Sequence, residues 1–172
     1  MESIKLQTIV YFILPSIDNP REVYLLRKNK PSEPTDGFLV GIGGNVEPNE
    51  SIDECIARET KEELKKTNIN LSNIQYKKRG ILIREDKMRE IHIYIALAPN
   101  RFNALNIENE GKARWYPIRY HQDNPGDFLI NDLAFLDELF FTDSYFLLNV
   151  NKKGIIDKGP KREYIGRSID GR

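Results

Sequence analysis

Apolar residues recur along the chain with two different periods. A period of two, or a dense run of β-branched and aromatic residues, predicts a strand; spacings of three and four predict a helix. The period of two is clearest in IHIYIALAP, where Ile91, Ile93, Ile95 and Leu97 share one face and His92, Tyr94 and Ala96 the other. Runs over 5–15 and 22–27 read as strands of a hairpin about Asp18-Asn19-Pro20. A polar loop, KNKPSEPTDG at 28–37, leads to a short strand over 38–42. Two β-like runs, 73–84 and 90–98, flank a charged tip at 84–89. After a polar loop at 100–112, short strands are expected over 114–118 and 144–150. The helical period occurs twice. Ile52, Ile56, Thr60 and Leu64 stand four apart and predict a helix from about 51 to 66, running on to Thr67 or Asn68. Leu133, Leu136, Leu139 and Phe140 predict another over 130–141. Strands broken by two helices in separate parts of the chain predict an α/β fold, an α/β/α sandwich with a mixed sheet. At 172 residues, one domain over 1–157 is expected, with a basic, loosely ordered tail over 158–172.

Composition narrows the partners. Lys plus Arg and Asp plus Glu are both 26, so the net charge is zero and nothing favours a nucleic-acid or membrane partner. The apolar run Ile9–Leu14 is far short of a membrane span. One cysteine, Cys55, excludes an intramolecular disulfide and points to a reducing, cytoplasmic setting. Its position on the first helix suits packing. Neither histidine, His92 nor His121, stands in a pattern that assigns it to catalysis. Monomer and homodimer are both open.

The chemistry lies on the first predicted helix. Glu59, Glu62 and Glu63 stand at i, i+3 and i+4, within roughly 100° of one face. An acidic edge beside an apolar stripe has two readings. One is a solvated face matched by Lys61, Lys65 and Lys66; the other is a set of oxygen ligands for a hard divalent cation. Gly41, Gly43 and Gly44 crowd the turn before the helix, where glycine permits close approach or positive φ. Ser51 and Glu54 have the spacing of a capping box.

Taken together, Gly44, Glu50, Arg58, Glu59, Glu62 and Glu63 form G-x5-E-x7-R-E-x-x-E-E. This resembles the Nudix box, G-x5-E-x7-R-E-U-x-E-E-x-G-U with U aliphatic. Thr60, Lys65 and Lys66 depart from it, and none of the departures removes a carboxylate. The resemblance implies the Nudix fold and Mg²⁺-dependent hydrolysis, with Mn²⁺ as a substitute, of a nucleoside diphosphate linked to another group. It implies Glu59 and Glu63 as metal ligands, Glu62 as a ligand or nearby base, and a Gly43 or Gly44 carbonyl completing the set. Arg58 would hold the carboxylates by charge-assisted hydrogen bonds, or form a surface ion pair. Glu50 would be an outer ligand or a charge favoured by the helix dipole. In MutT-like members a loop glutamate adds a ligand or base; here Glu110 is the candidate, with Glu108 beside it, and a solvated loop acid is the alternative for each.

Outside the box the chain is similar to the MutT and oxidised-purine triphosphatase branch, through the VGIGGNVE turn, the Trp115 strand and Asn131-Asp132. The implied reaction is cleavage of a nucleoside triphosphate to monophosphate and pyrophosphate, as in nucleotide-pool sanitation. Asn131 and Asp132 would read a purine edge, or else cap the last helix. Phe38 and Tyr116 would stack on a base, or else pack in the core. The branch has Trp-Asn where this chain has Leu39-Val40, and lysine where it has Asn45. Other readings are an ADP-ribose, nucleotide-sugar or dinucleoside-polyphosphate hydrolase, and a domain that binds nucleotide without cutting it.

Overall fold

The computed structural model describes residues 3–67 and 69–157; the expectations for Asn68 and for the 158–172 tail lie outside them. Strand alternation becomes two cores on the two faces of one sheet. In β1 (Lys5–Leu14), Val10 and Phe12 enter one core while Tyr11 and Ile13 enter the other. In β6 (Arg89–Leu97), Tyr94 and Ala96 join the first core, Ile93 and Ile95 the second.

The remaining strands are β2 (Glu22–Lys28), β3 (Leu39–Val40), β4 (Ile42–Asn45), β5 (Lys77–Arg84), β7 (Leu105–Ile107), β8 (Gly111–Pro117), β9 (Phe146–Val150) and β10 (Ile156–Asp157). The main path runs β10-β9-β5-β6-β1-β2-β8-β7, with β3 on β2 and β4 on β1. The β1–β6 and β5–β9 pairs are parallel and the others antiparallel, so the sheet is mixed.

Helix α1 (Ile52–Glu63) covers the first core and α3 (Ile130–Phe141) the second, which is the expected sandwich. Ile56 and Leu64 are fully buried, each worth roughly 2 kcal/mol in seating α1. The capping box forms as its spacing predicts: Ser51 Oγ accepts from Glu54 N at 3.1 Å, and Glu54 Oε2 accepts from Ser51 N at 2.8 Å. The stop of α1 is a correction. The α-helix ends at Glu63, and Lys65–Thr67 form a 3₁₀ turn. The buried Thr67 hydroxyl donates to Leu64 O at 2.7 Å, which closes the turn toward the core.

Three short elements carry no periodic signal and went unforeseen: β7, β10 and α2 (Tyr120–Asp123). The strand expected from residue 73 begins only at Lys77. Arg79, 2 % exposed, ties β5 to the end of α3 by donating to the carbonyls of Glu138, Thr142 and Ser144.

Candidate active site

The site grows from the contact between β4 and α1. β4 lies against β1, with Thr8 opposite Gly44 and Ile9 opposite Gly43. A Cβ on Gly43 would stand 2.0 Å from Thr8 O, and one on Gly44 would stand 2.3 Å from the Glu59 carboxylate. Neither glycine has a positive φ, so it is close approach that requires them.

Arg58 is the hub of the acidic edge. Its Nε and Nη2 form a fork on Glu50, at 2.7 Å to Oε1 and 3.0 Å to Oε2. Nη1 reaches Glu59 Oε1 at 3.0 Å and Glu62 Oε2 at 3.4 Å, and Nη2 also donates to Asn45 O at 3.1 Å. The hydrogen bonds from Arg58 hold the Glu50 pKa down at about 2. The Glu59 carboxyl is raised, first by burial and against the pull of Arg58. Glu62 points to solvent.

Glu63 differs from its neighbours. Its Oε2 is buried without a hydrogen-bond partner among the described residues. Burial, then the charge on Glu110, push its pKa up to about 8, with Lys28 opposing. Glu110 is thus brought to the α1 acids, while Glu108 is exposed. Lys28 Nζ donates to Glu110 Oε2 at 2.5 Å, and Lys30 Nζ lies 2.6 Å from Oε1. Burial raises the Glu110 pKa, but these two lysines outweigh it and the net shift is downward.

Sequence reasoning missed Lys28 and Lys30. A sequence separation of 82 between Lys28 and Glu110 leaves no local signal. Only the β2–β8 register, with Lys28 opposite Gly111, brings them together.

Asn131 and Asp132 lie on the other face of the sheet, in the first turn of α3. The capping alternative fails: the N-cap is Leu129, with no side-chain cap. Both residues are 8 % exposed. Asn131 Oδ1 has no hydrogen-bond partner among the described residues. Burial pushes the Asp132 pKa up to about 7, with Arg84 opposing. Phe38 is half-buried at the end of the 28–37 loop. Tyr116 is in the core, with Arg114 stacked over its ring 4.3 Å from the centroid. Leu39 and Val40 are also core residues, and Asn45 Oδ1 accepts from Gln7 Nε2 at 2.7 Å.

Among the described residues, no three His, Cys, Asp or Glu side chains are gathered as a metal-ligand set. The donors nevertheless suit a hard divalent cation in kind: carboxylates, one with a bare buried oxygen, beside a glycine carbonyl. Arg58 takes Oε1 of Glu59, and Lys28 and Lys30 take the two oxygens of Glu110. A pocket of about 650 Å³ opens at the far end of the sheet, between the β1–β2 turn and the end of α3, and contains none of these residues.

A NUDIX domain profile matches residues 8–136. Solved structures with this fold include the MutT protein of Bacillus halodurans, at 20% identity and TM-score 0.58, covering 88% of this chain and 94% of that one. The NUDIX hydrolase of Nitrosomonas europaea has 14% identity and TM-score 0.62 over 88% of this chain and 81% of its own. The NUDIX domain of Shewanella oneidensis NrtR, in complex with ADP ribose, has 17% identity and TM-score 0.57 over 81% and 87%. At these identities the likeness is one of fold.

Proposed function

The chain belongs to the Nudix family, whose members act on pyrophosphate bonds and generally use divalent cations, and on that premise we propose that it hydrolyses a nucleoside triphosphate to monophosphate and pyrophosphate. The observation that carries this reading is Glu63, a half-buried acid whose Oε2 is buried without a partner among the described residues and which feels the charge of Glu110, one helical turn from the Glu59 carboxylate that packs on Gly44.

The reaction is attack of water on a phosphorus atom, with cleavage of the bridging P–O bond and release of pyrophosphate. Its barrier is largely electrostatic. A divalent cation, Mg²⁺ or Mn²⁺, would supply phosphate neutralisation and water activation, held by Glu59, Glu63 and Glu110 with the Gly44 carbonyl. Glu62, on the exposed side of α1, would serve as a further ligand or as the base that receives a proton from water. Arg58 keeps Glu59 oriented and Glu50 ionised.

Base recognition is assigned to α3. Asn131 offers a bare oxygen acceptor, and Asp132, with its pKa near 7, offers a donor when protonated. Phe38 is the candidate stacking surface. Cys55, free and buried, fits a reducing compartment such as the cytoplasm. Among the described residues no helix is long and apolar enough to cross a membrane.

A second reading keeps the chemistry and changes the substrate to ADP-ribose, a nucleotide sugar or a dinucleoside polyphosphate. It is favoured by Val40: where the oxidised-purine branch has asparagine, this chain has an apolar side chain only 8 % exposed. A hydrolysis screen with Mg²⁺ over nucleoside triphosphates, oxidised nucleotides, ADP-ribose and dinucleoside polyphosphates separates the two. The expected products are monophosphate and pyrophosphate from a triphosphate. Release of orthophosphate would sink the reading, and turnover of no compound would favour a nucleotide-binding domain without catalysis.

A further inference from the structure

Glu110 is the acid of the site that α1 does not supply, and both its oxygens are taken, one by each lysine. Its turn does not need those bonds to stay in place. Asn29 N donates to Glu110 O at 2.8 Å and Glu110 N to Ile107 O at 3.0 Å, and Gly111 pairs with Lys28 in the sheet. The two ammonium groups therefore act on the carboxylate and not on the fold.

They also differ from Arg58. The Arg58 guanidinium is forked onto Glu50 and bonded to Asn45 O, so its contact with Glu59 is one of several that fix it. Each lysine is a point charge on a flexible stem. Lys30 has a second acceptor within reach, Glu33 Oε1 at 3.4 Å, to which it can turn on leaving Glu110.

We infer that Lys28 and Lys30 are positioning residues that serve as an internal counter-ion, holding Glu110 in the cation-free protein and competing with a divalent cation for the same two oxygens. This role rests on the divalent-cation site proposed above. The free chain then binds its cation more weakly than its acids alone would. Displaced from Glu110, Lys30 can turn to Glu33, while Lys28 is left beside the site, ready to meet substrate phosphate. Cation and nucleotide therefore favour each other's binding, and by linkage the coupling is the same in both directions.

Mn²⁺ titration of the full chain without nucleotide, read by calorimetry and by paramagnetic resonance of free Mn²⁺, tests the competition. Lys28→Gln and Lys30→Gln are each expected to lower the Mn²⁺ Kd roughly two- to fivefold, the upper part of the range of one partly exposed ion pair. Lys30→Arg should keep the wild-type value. Structural damage weakens binding, so a tighter site has no explanation in lost fold. Should Lys28→Gln fail to fold, Lys30→Gln decides, because its side chain lies in a surface loop. A Kd that is unchanged or weaker in folded glutamine variants overturns the counter-ion while leaving the metal site standing. A wild-type chain that binds no Mn²⁺ overturns both.

Discussion

Two carboxylates in this molecule are pushed far up the pH scale, in opposite kinds of surroundings. Glu63 sits in a dense charge cluster: Glu50, Glu59, Glu62 and Glu110 share its edge of the molecule with Arg58, Lys28 and Lys30. Asp132 sits in a sparse one. Arg84 alone opposes its shift, and the Arg84 guanidinium is already forked onto Asp86, at 2.8 Å and 2.7 Å. One proton relieves the sparse site, and so does one hydrogen-bonding ligand. The dense site has more negative charge than one proton removes, and a divalent cation suits it better. This difference supports the proposal that phosphate chemistry lies on the α1 face and base recognition on the α3 face.

The sharpest way to break the comparison is to remove the Glu63 charge. Glu63→Gln is expected to reduce Mg²⁺-dependent turnover by roughly 10²- to 10³-fold, the scale of one lost electrostatic group in a site. The melting temperature should be unchanged or higher, since a raised acid has been replaced by a neutral amide. Hydrolysis near the wild-type rate would remove Glu63 from the site.

Next in size is the wedge that brings α1 to β4. Gly44→Ala meets the Glu59 carboxylate, the far end of a side chain that can turn aside, and should destabilise the fold by at most about 1 kcal/mol in urea unfolding. Gly43→Ala should cost more, because its obstacle is the Thr8 backbone, which has no rotamer to change. Equal stability of all three proteins would mean that close packing does not define this edge.

On the α3 face, Asn131→Ala and Asp132→Ala should change kcat/KM for purine relative to pyrimidine substrates by about tenfold, with Mn²⁺ affinity intact. A loss shared equally by all bases would detach these residues from recognition.

The smallest effect is on stability against pH. Folded Glu63 and Asp132 have pKa values of about 8 and about 7, above ordinary values of 4.5 and 3.8. Raised carboxyl groups contribute stability that is fully present below the ordinary values and lost as pH rises through the folded ones. The cation-free protein should therefore melt a few degrees lower at pH 9 than at pH 5. Asp132→Asn should flatten the lower part of that decline and Glu63→Gln the upper. Mg²⁺ should restore stability at high pH in the wild type and less in Glu63→Gln, so a flat wild-type profile would contradict both shifts.

What the sequence determined by itself was local. The edge made by Glu59, Glu62 and Glu63 follows from residues per helical turn, and the Ser51–Glu54 box from the first turn alone. The two-faced sheet follows from alternation, because neighbouring side chains on a strand must point opposite ways. The glycine turn was legible as a constraint, though only the packing revealed that Thr8 and Glu59 impose it. Other features were decided by the tertiary structure. The selection of Glu110 over Glu108 and the arrival of Lys28 and Lys30 depend on how β2 registers with β8. The 3₁₀ stop after Glu63 depends on where Thr67 meets the core. Asn131 and Asp132 suited a cap equally well by residue type, and lost that role because the N-cap falls at Leu129 and α3 buries them in its first turn. Helical and strand periods act over a few residues and are written in the order of the chain. Which distant charges meet, and which are buried without a partner, is set by register and packing.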